Sequence, residues 1–273
     1  MDAESPMICF KLEEQVLARE GGGEFPLRIS AGDAEGLRES GLGPGDRIAA
    51  LDAADDYFVC EILSLDGELP LVRFAQKSGG SGRIDLSLAF GLIDPASMEA
   101  FVRADAELGV REFLPLQSER ALRLPDAEAE EALEGLRDAA EDAALHAGRP
   151  APRLLAPRGI EAACELLAQK DLVLVFWEEA PETVSLNRAI ERGLSECGKE
   201  PEDASIALLL GPRGGLSREE VEALLACNTS SSLVSLGPSV LRVETAAVVA
   251  PALVLYRLGA LGGGPRGGSA AQA

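Results

Sequence analysis

Arg242 and Glu244 stand one residue apart in the run Ser235–Ala250, SLGPSVLRVETAAVVA, between Val240-Leu241 and an apolar stretch that opens at Ala246. A charge that leaves water for a dry interior must be paired. The run is therefore either an ion-paired corner or a site. Two glycine-rich turns lie close by in sequence, Gly211-Pro-Arg-Gly-Gly215 and Leu236-Gly-Pro238, each following an apolar run. Glycine lets backbone N–H and C=O groups approach a ligand closely, and open α/β sheets bind ligands at the carboxyl ends of their strands. Taken singly, each turn also reads as an ordinary strand-to-helix connection. The first lacks the Lys-Ser/Thr of a P-loop and the spacing of a dinucleotide fingerprint. His146 is the only histidine, which excludes a histidine-rich metal centre and argues against a Ser-His-Asp triad.

The elements that must position these turns show a change of rhythm along the chain. Up to about residue 75, short strand candidates (Phe25–Ile29, Arg47–Leu51, Tyr57–Leu63, Leu69–Phe74) alternate with turn signals at Gly43-Pro-Gly-Asp46 and Asp66-Gly67. That spacing predicts a small β-barrel over residues 1–75. A flexible linker over 76–83 follows, rich in glycine and serine. From 84 to 261 apolar strands at Ile84–Phe90, Val110–Leu116, Leu172–Trp177, Ser205–Leu210 and Leu233–Leu236 alternate with helices at Ala96–Leu108, Asp126–His146, Val184–Cys197 and Arg218–Cys227. A closing helix spans Thr245–Leu258. Unbroken apolar strands alternating with helices predict an α/β fold, a parallel sheet covered on both faces. Ser217-Arg-Glu-Glu220 is a capping box for the helix after the first glycine turn. The Gly/Ala/Ser-rich tail, 262–273, is expected to be disordered.

The bulk composition bounds the partners. The chain has 273 residues, 47% of them hydrophobic, enough for a sizeable core. Its formal net charge of -21 repels nucleic acid and anionic lipid on average, so RNA binding would need a local basic patch. Eight carboxylates and one arginine lie between Asp126 and Asp142, the pattern of a solvated helix face. No apolar run reaches the roughly eighteen residues of a membrane span, and the acidic opening MDAESPMICF, with no basic stretch, is not expected to act as a secretory signal. The five scattered cysteines, with no C-x-x-C, read as reduced thiols of a cytoplasmic protein.

In this order the two glycine turns resemble a specific family. Leu208–Leu224, LLLGPRGGLSREEVEAL, followed by Val234–Leu253, VSLGPSVLRVETAAVVAPAL, is similar to the RsmE pattern I-G-P-E-G-G-F-S-x-x-E, then L-G-x-R-I-L-R-x-E-T-A. Glu107–Arg123, ELGVREFLPLQSERALR, and Gly41–Ile48, GLGPGDRI, extend the likeness over nearly the whole chain. RsmE proteins are methyltransferases of the SPOUT superfamily that act on N3 of a uridine in 16S ribosomal RNA. The resemblance implies a PUA-like β-barrel domain, a knotted SPOUT domain that binds S-adenosyl-L-methionine (SAM), and a homodimer paired through the closing helix. By the same resemblance the cofactor is held by Leu210, Gly211, Pro212, Gly214 and Gly215, and by Leu236, Gly237, Leu241, Glu244, Thr245 and Ala246. Arg242 would be the catalytic cation, with Arg120 and Arg149 toward RNA. The chain departs from the pattern at Arg213, where the family has glutamate, at Ser239 and Ala104, where it has basic residues, and at Ala34-Glu35 and Glu39–Gly41 in the barrel. A diverged, non-catalytic homologue that keeps the SAM pocket is the alternative that these departures suggest.

Overall fold

The computed structural model describes residues 8–20, 23–53, 57–77, 84–147, 149–177 and 183–261. The chain divides into two compact units, Met1–Ser81 with Glu141–Ala151, and Gly82–Ala140 with Pro152–Ala273.

In the first unit, β1 (Cys9–Lys11), β2 (Glu24–Pro26), β3 (Arg47–Leu51), β4 (Tyr57–Ser64) and β5 (Leu71–Lys77) form one sheet in the order β1-β3-β4-β5-β2. Phe25, Phe58 and Phe74 pack together in its core with Ile48, Ile62 and Val72. The four strands read from the sequence are found, and two elements are added to them, the three-residue β1 and a helix, α1 (Ala31–Glu39). Ser30 caps it by accepting the Asp33 amide at 3.1 Å, and it buries only Ala34 and Leu37. With two glycines and two buried positions its helical periodicity is too faint to read. Residues 76 and 77 of the expected linker belong to β5; the rest of it and the expected tail lie outside the described residues.

The second unit is built on a wholly parallel sheet. Its elements run β6 (Asp85–Gly91), α2 (Pro95–Leu108), β7 (Glu112–Gln117), α3 (Asp126–His146, whose last turns count with the first unit), β8 (Arg153–Leu154), β9 (Arg158–Gly159), α4 (Ile160–Leu167) and β10 (Leu172–Phe176). There follow β11 (Val184–Ser185), α5 (Leu186–Cys197), β12 (Ser205–Leu210), α6 (Arg218–Ala226), β13 (Ser231–Ser235) and α7 (Val243–Arg257). The strand order is β11-β13-β10-β12-β6-β7-β8, with β9 also on β7. β10 is buried at every residue and β12 at all but its first, as expected of strands covered on both faces. α4 and α6 pack together over one face, where Val173, Val175, Ala207 and Leu209 meet Leu167, Val221 and Leu224. α2 and α7 pack together and α7 lies against β6 and β12; here Phe90 meets Phe101 edge-on at 4.9 Å.

Most boundaries match the sequence pattern, and the differences have local causes. Val184-Ser185, read as the start of a helix, is a short strand paired to β13, and the Ser185 hydroxyl then caps α5. α7 opens at Val243 rather than Thr245 because the Arg242 carbonyl already accepts the Thr245 and Ala246 amides, at 3.0 and 2.9 Å. β8, β9 and α4 were not legible: the strands are two residues each, and α4 has only eight.

Candidate functional site

Strands β13, β10 and β12 lie side by side in the sheet, and the segments leaving their carboxyl ends line a cleft of about 670 Å³. The segment after β12 is the first glycine turn. Gly215, in the left-handed region at φ 69°, donates its N–H to the Pro212 carbonyl at 2.8 Å. A Cβ on Gly211 would stand 3.0 Å from the Leu216 amide nitrogen, so the turn closes tightly on this glycine. Pro212 in turn is seated on Gly91 at the end of β6, where a Cβ would lie 2.4 Å from the proline nitrogen and Cδ. The sequence reading missed Gly91, whose only signal was a glycine ending the apolar strand that precedes Asp94.

The segment after β13 carries the second glycine turn. The Gly237 amide donates to Ser235 Oγ at 3.1 Å, and that hydroxyl donates to the Gly237 carbonyl at 3.1 Å. Gly237 has φ 117°, a conformation side-chain-bearing residues rarely adopt, and an added Cβ would meet nothing within 4 Å. Beyond it Val240 is 83% exposed, and the chain turns at Arg242 into α7. Phe176 at the end of β10, Trp177 just after it and Thr183 also line the cleft; none was singled out from the sequence. Trp177 Nε1 donates to the Leu216 carbonyl at 3.2 Å, which ties this wall of the cleft to the first glycine turn.

The charges sort differently from either simple reading of the Arg242–Glu244 run. Arg242 is exposed, lines the cleft, and makes no ion pair or side-chain hydrogen bond among the described residues. Glu244 does form an ion pair, but with Arg213, at 3.7 Å. Its other oxygen, Oε2, is buried without a hydrogen-bond partner among the described residues. Arg213 also pairs with Asp94 at 2.7 Å and donates to Ser97 Oγ at 3.1 Å. Asp94 caps α2 by accepting the Ser97 amide at 3.0 Å. That amide, with the Arg213 charge behind it, holds the Asp94 carboxyl below its ordinary pKa.

Of the expected cofactor residues, Leu210, Gly211, Pro212, Leu236, Gly237, Leu241, Glu244 and Ala246 line the cleft, whereas Gly214, Gly215 and Thr245 do not. Gly214 faces Arg120, whose Cβ would be 3.1 Å from a Cβ on the glycine and whose Nη1 donates to the Gly214 carbonyl at 2.9 Å. Glu220 completes the capping box with Ser217 and reaches across to accept the Glu119 amide at 2.7 Å. The Ser-Glu-Arg and Gly-Gly-x-Ser-x-x-Glu segments, far apart in sequence, thus brace each other. Arg120 is exposed but outside the cleft lining. Arg149 belongs to the first unit, is half-buried, and does not line the cleft. Among the described residues no three His, Cys, Asp or Glu side chains gather as metal ligands, and all five cysteines are free thiols.

The model of the RNA methyltransferase domain family matches residues 81–255. The chain belongs to this family. Its likeness to RsmE is borne out by a curated relative, the ribosomal RNA small subunit methyltransferase E of Bacillus subtilis (strain 168), 29% identical over 178 residues. That match covers 64% of this chain and 66% of the relative, just under two thirds of its length. Two solved structures share the fold of this RNA methyltransferase domain protein. One, of a hypothetical protein, has a TM-score of 0.71 at 21% identity, covering 92% of this chain and 98% of the other. The second is the Neisseria gonorrhoeae ribosomal RNA small subunit methyltransferase E bound to S-adenosyl methionine, with a TM-score of 0.64 at 20% identity, covering 92% and 97%.

Proposed function

We propose that the protein is a SAM-dependent methyltransferase that modifies N3 of a uridine in 16S ribosomal RNA. The observation that carries this reading is the cleft: two glycine turns and the start of α7 converge at the ends of three parallel strands, and the lining includes Arg242, which has no partner among the described residues. Family membership and the likeness to the Bacillus subtilis relative support the reaction class.

The residues present fit SAM. The cleft, about 670 Å³, lies within the roughly 300–1,000 Å³ range of small-molecule sites. Its walls are backbone-rich at Gly211 and Gly237 and apolar at Phe176, Leu210 and Leu236, suited to an adenosine. Glu244 lines the cleft, and its carboxylate, whose Oε2 has no hydrogen-bond partner among the described residues, adds negative charge to the wall that a cationic ligand would meet. When bound, SAM supplies a methyl group on a positively charged sulfur, so no metal is required. The chain's own part is to position and to neutralise charge. The uracil N3 is a weak nucleophile until its proton passes to solvent water, and negative charge then spreads to the carbonyl oxygens. Arg242 is the cation free to donate to such an oxygen, because Glu244 is engaged by Arg213 instead. Arg120, exposed beside the cleft turn, would meet a backbone phosphate, and Arg149 is a further candidate contact.

In the same reading the first sheet is a PUA-like barrel domain (residues 1–75), and the segment through the two glycine turns is a trefoil knot within the SPOUT domain (84–261). The protein acts in the cytoplasm as a homodimer paired through α7, on which Leu253 and Tyr256 remain 41% and 64% exposed. No helix among the described residues is long and apolar enough to cross a membrane. Mass spectrometry of 16S ribosomal RNA from a strain lacking the gene should show loss of one methyluridine, restored by the wild-type gene. Unchanged methylation would favour the non-catalytic homologue.

A further inference from the structure

Arg213 occupies the place where the RsmE pattern has glutamate, so its role is not inherited from that pattern. Its guanidinium reaches three segments at once. It is anchored in the glycine turn after β12, pairs with Asp94 and donates to Ser97 at the start of α2, and lies 3.7 Å from Glu244 in the first turn of α7. Turn and α7 both line the cleft, whereas Asp94 and Ser97 do not. The planar fork of arginine suits it to bridging several acceptors, which the single charge of lysine does less well.

We propose that Arg213 is a positioning residue, a charge clamp that fixes the glycine turn and the Glu244 carboxylate relative to α2 and so sets the shape of the cleft. The backbone bonds of the turn do not reach α2 or α7: the Gly215 amide is spent on Pro212 within the turn, and Arg120 holds Gly214 from the side of β7. The two carboxylates would otherwise face each other across the turn, and Arg213 is the cation that neutralises both. Asp94 is suited to its half of the clamp because capping uses Oδ1 on the Ser97 amide and leaves Oδ2 for the guanidinium. The consequence for cofactor binding rests on the SAM reading; the clamp itself does not.

The test is a double-mutant cycle between Arg213 and Asp94, read first by deuterium exchange in the protein alone at residues 211–216 and 243–246. Arg213→Glu sets a carboxylate beside Asp94 and Glu244. Each such repulsion at about 4 Å is worth about a factor of five in water, so exchange in both segments should rise by about tenfold or more. Asp94→Asn keeps the capping oxygen and removes one charge. It should raise exchange in the wild-type background and lower it by about fivefold in the Arg213→Glu background, an inversion of sign that a general loss of stability does not produce. S-adenosylhomocysteine affinity should follow the same inversion. Exchange unchanged by Arg213→Glu, or Asp94→Asn acting alike in both backgrounds, overturns the clamp. If the exchange inverts but the wild type binds neither SAM nor S-adenosylhomocysteine, the clamp stands and the cofactor reading falls.

Discussion

Replacing Gly91 with alanine adds one methyl group at the point where the strand β6 supports the cleft. The new Cβ would lie 2.4 Å from both the nitrogen and Cδ of Pro212, and 2.9 Å from its Cα. Those are backbone and ring atoms, so no flexible side chain can swing away and the glycine turn itself must move. Forcing a methyl into a packed site costs about 1–3 kcal/mol. For a unit of this size a loss of about 2 kcal/mol lowers the melting temperature by about 4–8 °C. Since Gly211 and Pro212 line the cleft, S-adenosylhomocysteine affinity should fall by tenfold or more, about 1.4 kcal/mol. Thermal unfolding and calorimetric titration measure both effects. Gly135→Ala is the control: it lies in α3 with nothing within 4 Å of its added Cβ, and should stabilise by about 0.5–1 kcal/mol. If Gly91→Ala melts and binds like the wild type, the seat of Pro212 on Gly91 does not hold the cleft.

Three further outcomes follow from particular residues. Gly237→Val should abolish detectable S-adenosylhomocysteine binding at a stability cost of about 1–3 kcal/mol, because a β-branched residue resists φ 117° and its side chain would enter the open space of the cleft; retained binding by calorimetry would contradict this. Asp105 is fully buried in α2 with neither oxygen hydrogen-bonded among the described residues, and burial pushes its carboxyl well above the ordinary range. A raised folded-state pKa gives stability that is complete below the unfolded value near 3.8 and is lost as pH rises toward the folded one. The stability of Asp105→Asn relative to wild type, from denaturant unfolding, should therefore increase as pH climbs from about 4, by at most about 1.4 kcal/mol per pH unit; a difference independent of pH would show that Asp105 is not held protonated. Leu253→Lys with Tyr256→Glu should turn a sedimenting dimer into a monomer, and a wild-type monomer at micromolar concentration would remove the α7 pairing.

The sequence was most informative where an element is specified locally. Ser205–Leu210 and Asp126–His146 match the expected bounds because one is a continuous apolar run and the other a long charged helix with a clear start. The capping box at Ser217 and Glu220 was readable for the same reason. α1 was hidden because its glycines and short buried stripe give no helical period. Within the cleft, the glycine turns and Arg242 were legible as motifs, but their supports were not. Gly91 matters only because Pro212, much later in the chain, arrives against it. Arg213 read as a mere departure from a pattern, since its partners, Asp94 at the cap of α2 and Glu244 in α7, are distant in sequence. Trp177 read simply as the end of a buried strand, and its indole turned out to hold the Leu216 carbonyl.

Methyl transfer by the purified protein tests the central claim most directly. Small ribosomal subunits lacking the modification would be incubated with SAM and either the wild type or Arg242→Ala, and the digested 16S RNA resolved by liquid chromatography and mass spectrometry. The wild type should yield 3-methyluridine at one position. Arg242→Ala, whose side chain makes no ion pair among the described residues, should bind S-adenosylhomocysteine within a few-fold of wild type yet lose transfer by about a hundredfold or more, as expected when a donor acting on developing charge is removed. A wild type that binds the cofactor but leaves the RNA unmodified, or an Arg242→Ala variant that methylates at the wild-type rate, would contradict the account.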